Sequence, residues 1–239
     1  MATHLDFHKR DAEAAEILDG PGLLASQVRD SVGDLDRLGA ALGWTWLAVR
    51  DAADFASRQG LERLRVLDIG TGAGNVPLAL ARWSRRSGVE LALVALDINE
   101  AMLTVARASC SGYPEIEFVL GDALALPFAD RSFDLVLCQG TFHHFAPEAA
   151  VVLLAEAARV TDRRLLVTDL RRSPLLYAAA WILLHLVVKT SITRHDGLSS
   201  IRRAYVPAEM LRLAHTAGLS GARLGLTLHF RQRLEWERP

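Results

Sequence analysis

A chain of 239 residues with 51% hydrophobic content can bury one sizeable core, and that length favours a single domain with decorations. With 27 basic against 28 acidic residues the formal charge is −1, so no overall field recruits nucleic acid or an anionic membrane. Two cysteines, Cys110 and Cys138, make neither a disulfide framework nor a metal cluster; a reducing, cytoplasmic setting is expected.

The first eleven residues carry charges where a secretory leader would need an apolar stretch, so no signal peptide is expected. Residues 11–60 read as a helical N-terminal cap: Glu13 to Leu18, then Leu23 to Leu42 after Gly20-Pro21-Gly22, then Trp44 to Ser57. Trp44 and Trp46 are read as packing residues. From Arg65 the pattern alternates. Strand-like runs Arg65–Ile69, Leu91–Leu96, Ile116–Leu120, Phe133–Cys138 and Leu165–Thr168 are separated by helical stretches Asn75–Arg86, Glu100–Ser109 and Pro147–Val160, the signature of βαβ units. Right-handed crossovers then put helices on both faces of a mostly parallel, Rossmann-like sheet. After Arg172 the alternation stops: an apolar helix Leu175–Val188, a polar loop around Thr193–Ser200, a helix Pro207–Ala217, and an antiparallel hairpin from Ala222 to Trp236. The apolar helix reaches roughly 21 Å at ~1.5 Å per residue, short of the ~30 Å of a bilayer core, so it is not expected to span. Arginines at 163, 164, 171, 172, 202 and 203 come in pairs and are expected to be solvated.

The most informative stretch is Val66 to Val76, Val-Leu-Asp-Ile-Gly-Thr-Gly-Ala-Gly-Asn-Val. A buried strand that turns through Gly70, Gly72 and Gly74 into a helix presents bare backbone N–H groups to a ligand. In an open α/β sheet, ligands bind beyond the carboxyl ends of the strands. Those ends are acidic here: Asp68 in the first, Asp97 in the second, and Asp122 after the third. Asp97 suits ribose hydroxyls. The pattern is Gly-x-Gly-x-Gly rather than Gly-x-Gly-x-x-Gly, and Asp97 lies further from Gly70 than the nominal ~20 residues; both features argue against a nicotinamide cofactor.

Through Val66–Val76, Ala95–Asn99, Gly121–Phe128 and Ser132–Phe145 the chain resembles the class I S-adenosylmethionine-dependent methyltransferases. The resemblance implies a seven-stranded sheet and S-adenosylmethionine as cofactor. It implies that Gly70 and Gly72 bracket the methionine moiety, with Asp68 and Thr71 in the same loop. Asp97 would bind the ribose, Ile98 would lie on adenine, Asp122 and Ala123 would contact its edge, and Gln139 would line the pocket. Within the superfamily the chain looks most like quinone-biosynthesis-like small-molecule methyltransferases, including those accompanying bacterial type III polyketide synthases. That fainter match includes Ala15-Glu16-Ile17-Leu18-Asp19, Asp169-Leu170-Arg171-Arg172, His195-Asp196-Gly197 and Arg202-Arg203-Ala204-Tyr205.

Methyl transfer needs acceptor, methyl and sulfonium held in line with water excluded, and a base only if the acceptor carries a proton. His143 and His144, past the fourth strand, and Asp169, ending the fifth, are expected to converge on the pocket mouth as the catalytic group. Such a trio surrounds the acceptor in the sugar and phenol O-methyltransferases that the chain resembles. Gln139-Gly140-Thr141 offers no set of oxygen ligands for a catechol-type metal, so no catalytic metal is expected. The Asn/Asp-Pro-Pro-aromatic signature of nucleic-acid amino-methyltransferases is absent, which with the neutral charge argues against nucleic-acid substrates. Residues 173–206 are expected to cover the acceptor, with Tyr177 and Trp181 four apart as an aromatic wall. A wholly buried helix, or a homodimer interface through it, is the competing expectation. The acceptor is then a lipophilic phenolic, quinone-like or polyketide-type hydroxyl, and a protein that binds S-adenosylmethionine without transferring methyl is the alternative.

Overall fold

Seven strands, the first five rich in aliphatic residues, line up as one sheet in the computed structural model, which describes residues 6–20, 25–227 and 231–239. The strands are β1 (Arg63–Ile69), β2 (Glu90–Asp97), β3 (Ile116–Leu120), β4 (Phe133–Gln139), β5 (Thr161–Leu170), β6 (Arg223–Leu226) and β7 (Arg231–Glu237). Their order is β3-β2-β1-β4-β5-β7-β6. Strands β1 to β5 run parallel, and β7 is antiparallel to both β5 and β6, which gives the expected C-terminal hairpin. The tip of that hairpin, 228–230, lies outside the described residues. The strand order reverses between β1 and β4, so the crevice for a ligand opens above their carboxyl ends.

Helices α1 (Ala25–Ala41), α2 (Trp44–Gln59), α3 (Asn75–Ser87), α4 (Glu100–Ser109), α5 (Pro147–Val160), α6 (Pro174–Val187), α7 (Ser191–Arg203) and α8 (Pro207–Thr216) complete the chain. The start of α1 proposed from sequence, Leu23 and Leu24, lies outside the described residues. Period-two alternation sorts the sheet into two cores: Val66, Leu93, Leu135 and Leu137 meet α2 and α3, whereas Leu67, Ile69, Val136 and Val167 meet α5 and α8. Residues on both faces of the central strands are wholly buried, which is why β1 and β4 read as continuous apolar runs. Truncating one of them, such as Leu137, to alanine costs about 2 to 5 kcal/mol. At the amino ends of the strands Arg65 pairs with Asp134 at 2.8 Å, so that edge is closed by ion pairs while the carboxyl edge stays open for chemistry.

Four sequence expectations are corrected. Residues Glu13–Leu18 do not form a helix; only Ile17–Asp19 make a 3-10 turn, and the segment before it lies across α7 as irregular chain. Its amides are satisfied from outside, since Asp196 accepts the N–H groups of Ile17 at 2.7 Å and Leu18 at 3.0 Å. Thr193–Ser200 is not a loop but the body of α7. Its polar residues Thr193, Asp196 and Ser200 recur at helical spacing on the buried face, where Thr190 caps the first turn and Asp34 of α1 accepts the N–H groups of Lys189 and Thr190. Polarity there serves burial rather than solvation. The arginine pairs are not simply solvated either: Arg172 is buried with Glu209 at 2.8 Å, Arg164 reaches Glu235, and Arg202 reaches Asp11. Finally, Trp44 lies beneath the Arg231 guanidinium at 4.3 Å as a packing residue should, but Trp46 is exposed with Arg50 over its ring.

Candidate active site

Strand β1 ends at Ile69, and the next two amides, Gly70 and Thr71, both donate to the Leu96 carbonyl, at 2.8 and 3.0 Å. The glycine turn therefore rests on β2. Gly70 has φ +70°, and a Cβ there would fall 2.4 Å from the Thr141 side chain, so this glycine is required for the turn to meet the loop after β4. Gly72, at φ +55°, has nothing nearer than the Met102 Cε at 3.8 Å, which leaves its backbone open for a ligand. Asp97, ending β2, accepts the Gly72 N–H at 2.7 Å and the Asn99 N–H at 2.9 Å, one on each carboxylate oxygen. Its remaining lone pairs point outward for a diol. Beside it Ile98 is 72% exposed, an apolar platform with no protein cover. Asp122 accepts the Leu124 N–H at 2.8 Å next to buried Ala123, and Gln139 ends β4 half-buried.

Asp68 lies beneath this turn, and burial pushes its carboxyl up to about 7, with the Asp97 charge adding to the rise. An incoming ammonium would relieve that penalty. Open backbone, an apolar shelf, a diol-binding carboxylate and a buried carboxyl short of a counter-charge together fit the amino acid, ribose and adenine of S-adenosylmethionine.

The second group assembles past β4. Gly140 donates to the Thr168 carbonyl at 2.8 Å, and Phe142–His144 close a 3-10 turn anchored by buried Phe142 against the Tyr205 ring. His143 is held by one carboxylate: Asp169 accepts its backbone N–H at 2.7 Å and lies 2.8 Å from its Nδ1. On the other side its Nε2 stands 3.3 Å from Glu16 Oε1, and the His144 Nε2 is 3.7 Å from Glu16 Oε2. Burial opposes charge on each partner, yet Asp169 and then Glu16 outweigh it and hold the His143 imidazole up to about 9. Both carboxylates are lowered against the same burial, Glu16 by His143 and His144 and Asp169 by His143 with help from Arg231. His143 is thus enclosed at 4% side-chain exposure, whereas the His144 side chain is 27% exposed.

The residues expected as catalytic, His143, His144 and Asp169, do come together, and Glu16 joins them. Glu16 arrives from a distant part of the chain and is aimed by Ser200, whose hydroxyl donates to Oε1 at 2.8 Å. Arg10 fastens the same segment by donating to the carbonyls of His143 and Phe145, while Arg203 donates to His144 O and Tyr205 to Phe145 O. Sequence reading missed Glu16 as a site residue. The available signal was that all four patches of faint family resemblance, around 16, 169, 196 and 203, meet at this turn.

On α6, Tyr177 and Trp181 have different neighbours. Tyr177 packs edge-on against Phe7 at 5.3 Å, while Trp181 is 51% exposed and lies on His185 at 4.4 Å; among the described residues no ring contact joins the two. Leu175, Ala178, Ala179, Ile182 and Leu186 form an exposed apolar stripe beside them. Among the described residues no helix is long and apolar enough to cross a membrane.

Comparison with known proteins agrees with this geometry. Residues 66–164, spanning β1 to β5, match the family described as a methyltransferase domain. The chain is 37% identical over 100 residues to the demethylmenaquinone methyltransferase of Thermotoga maritima, 42% of this chain and 40% of that protein. It spans less than half the length of several curated relatives that it matches. The demethylmenaquinone methyltransferase of Roseiflexus castenholzii is 31% identical over 180 residues, covering 74% of this chain and 71% of that one. Among solved structures, the magnesium protoporphyrin IX methyltransferase of Synechocystis with bound SAH superimposes with a TM-score of 0.58 at 24% identity, covering 82% of this chain and 84% of that one, a likeness of fold. By its match to the Roseiflexus enzyme and the construction of its sheet edge, the chain belongs to the class I S-adenosylmethionine-dependent methyltransferases of the quinone-biosynthesis type, with S-adenosylmethionine as its cofactor.

Proposed function

We propose that this protein transfers the methyl group of S-adenosylmethionine to a hydroxyl oxygen of a lipophilic phenolic, quinone-like or polyketide-type small molecule. The observation that carries this reading is the cluster of Glu16, His143, His144 and Asp169 at the same sheet edge as the glycine turn. A protein that only bound the cofactor would need the first half of that edge and not the second. When bound, the cofactor supplies an electrophilic methyl on a sulfonium. The glycine turn, Asp97 and Ile98 hold it, with Asp68 opposite its ammonium. His144 meets the acceptor hydroxyl and favours its ionised form, and Asp169 fixes His143 so that Glu16 and His144 keep their places. Residues 173–206, with Tyr177 and Trp181, cover the acceptor and exclude water. The apolar stripe of α6 supports a greasy acceptor.

A second reading is favoured by the relatives' names, which include a C-methyltransferase of ubiquinone and menaquinone biosynthesis. Ionising a ring hydroxyl also makes the adjacent ring carbon nucleophilic, so the same cluster serves carbon methylation. Incubating the protein with methyl-labelled S-adenosylmethionine and a series of hydroxynaphthoquinols and alkylresorcinols tests both. A labelled methyl ether by NMR is the expected product, a labelled ring methyl establishes the second reading, and no labelled product with tight cofactor binding overturns methyl transfer.

A further inference from the structure

We propose that Glu16, His143 and His144 form a site for one divalent cation of the zinc(II) or iron(II) class, open to an oxygen of the acceptor. The three side chains bring a carboxylate oxygen and two imidazole nitrogens within 4.8 Å of one another. The His143 Nε2 and His144 Nε2 already stand 3.3 and 3.7 Å from the two Glu16 oxygens. Donor atoms on a tetrahedral shell of about 2.0 to 2.1 Å lie about 3.4 Å apart, so the set would have to close by about an ångström on binding an ion.

An independent observation points the same way. The His143 Nε2 is buried in a side chain only 4% exposed, and among the described residues it has no aligned hydrogen-bond acceptor, although it stands 3.3 Å from Glu16 Oε1. Its other nitrogen is committed to Asp169 at 2.8 Å, the carboxylate–histidine arrangement that fixes the tautomer of a metal-bound imidazole. Ser200 orients the Glu16 carboxylate in the same way. Charge permits it too: Arg10 donates to the carbonyls of His143 and Phe145, and Arg231 faces Asp169 and Trp44. A cavity of about 490 Å³, lined by Asp11, Glu13, Glu16, His195, Ser199 and Arg202, borders the Glu16 segment.

Two imidazoles and one carboxylate suit a borderline cation better than magnesium or calcium, which take oxygen ligands. Three protein ligands leave one position open, where a hydroxyl bound to the cation ionises near neutrality. The site stands on geometry alone; its role toward an acceptor rests on the proposed methyl transfer.

The test uses the full chain, stripped with chelator, dialysed, and titrated with zinc(II) by calorimetry and with cobalt(II) by visible absorption. The expected result is one ion per chain, the intense bands of low-coordinate cobalt, and no competition from a hundredfold excess of magnesium. Glu16→Gln and His144→Ala should each weaken zinc binding by about tenfold or more while S-adenosylmethionine affinity stays within about twofold, and Asp169→Asn by about 10- to 100-fold. Circular dichroism on each variant checks folding, and His144→Ala, whose side chain is the least enclosed, carries the test if Asp169→Asn unfolds. No uptake by the wild type, or equal uptake by Glu16→Gln and His144→Ala, overturns the site. An ion bound with no acceptor methylated leaves the site standing and sinks the proposed function; methyl transfer that persists with no ion bound removes the cation's role.

Discussion

Between β1 and β3 the sheet edge offers a ligand mostly main chain: a glycine turn, two carboxylates bonded to amides, and an uncovered isoleucine. Past β4 and β5 it offers side chains, with His143 set between Asp169 and a glutamate that comes from the far end of the sequence. The first half is organised by neighbours in the chain, the second by contacts such as Glu16 with Ser200, 184 residues apart. A cofactor common to a whole family can be held by a short motif. The proposed acceptor side is built from elements that follow the shared core or precede it.

The sharpest way to break the first half is a side chain on its turn. Gly72→Val should leave the protein folded yet reduce S-adenosylmethionine affinity beyond calorimetric detection, because space at Gly72 is open only until a ligand arrives. Gly70→Val should instead lower stability, by about 2 to 4 kcal/mol from strain and the clash with Thr141, visible as a fall in melting temperature. If both variants melt like wild type and still bind, the turn has been misplaced.

Asp68 separates stability from function. Its carboxyl, at about 7 when folded, lies above its value of 3.8 when free, so the folded state binds a proton that the unfolded chain releases over that window. The resulting penalty is absent below about pH 4, grows as pH rises, and is complete above about pH 7. Asp68→Asn should therefore melt higher than wild type at pH 8, by on the order of a few kcal/mol, and equally at pH 4, while binding the cofactor more weakly. A variant that melts lower at pH 8 would show that the carboxylate is stabilised where burial says it is strained.

Asp97→Ala should weaken cofactor affinity by about 1 to 3 kcal/mol. It should also lower the melting temperature by a few degrees, since it strips partners from the Gly72 and Asn99 amides. Unchanged binding with a collapsed melt would make it a structural cap alone. The smallest effect belongs to the acceptor side: Trp181→Ala, half exposed on α6, should raise the acceptor KM by about fivefold, roughly 1 kcal/mol, and leave cofactor affinity alone. If the variant turns monomeric with unchanged kinetics, α6 is a subunit interface instead.

This contrast also explains what could be read from the chain. Each parallel strand was found within a few residues because Val66–Ile69 and Leu135–Cys138 are buried on both faces and punctuated by turns. The candidate cofactor residues stand out in the sequence because the glycine turn and the strand-end acids fall at fixed places along βαβ units. Helix α7 looks like a loop in sequence because its buried face is polar, Thr193, Asp196 and Ser200, and carries little of the apolar periodicity that marks a helix. The segment around Glu16 was read as a helix because its alanines favour one, yet its amides are claimed by Asp196. Neither partner announces the other in sequence, which is why His143, His144 and Asp169 were named and Glu16 was not.

The most direct measurement is the rate of transfer from methyl-labelled S-adenosylmethionine to a hydroxynaphthoquinol, compared between wild type, His144→Ala and Asp97→Ala alongside calorimetric cofactor affinities. The division of the sheet edge predicts a kcat about 10²- to 10⁴-fold lower for His144→Ala with an unchanged cofactor Kd, and a raised Kd with recoverable kcat at saturating cofactor for Asp97→Ala. Equal loss of cofactor affinity in both variants, or turnover by His144→Ala within threefold of wild type, would contradict it.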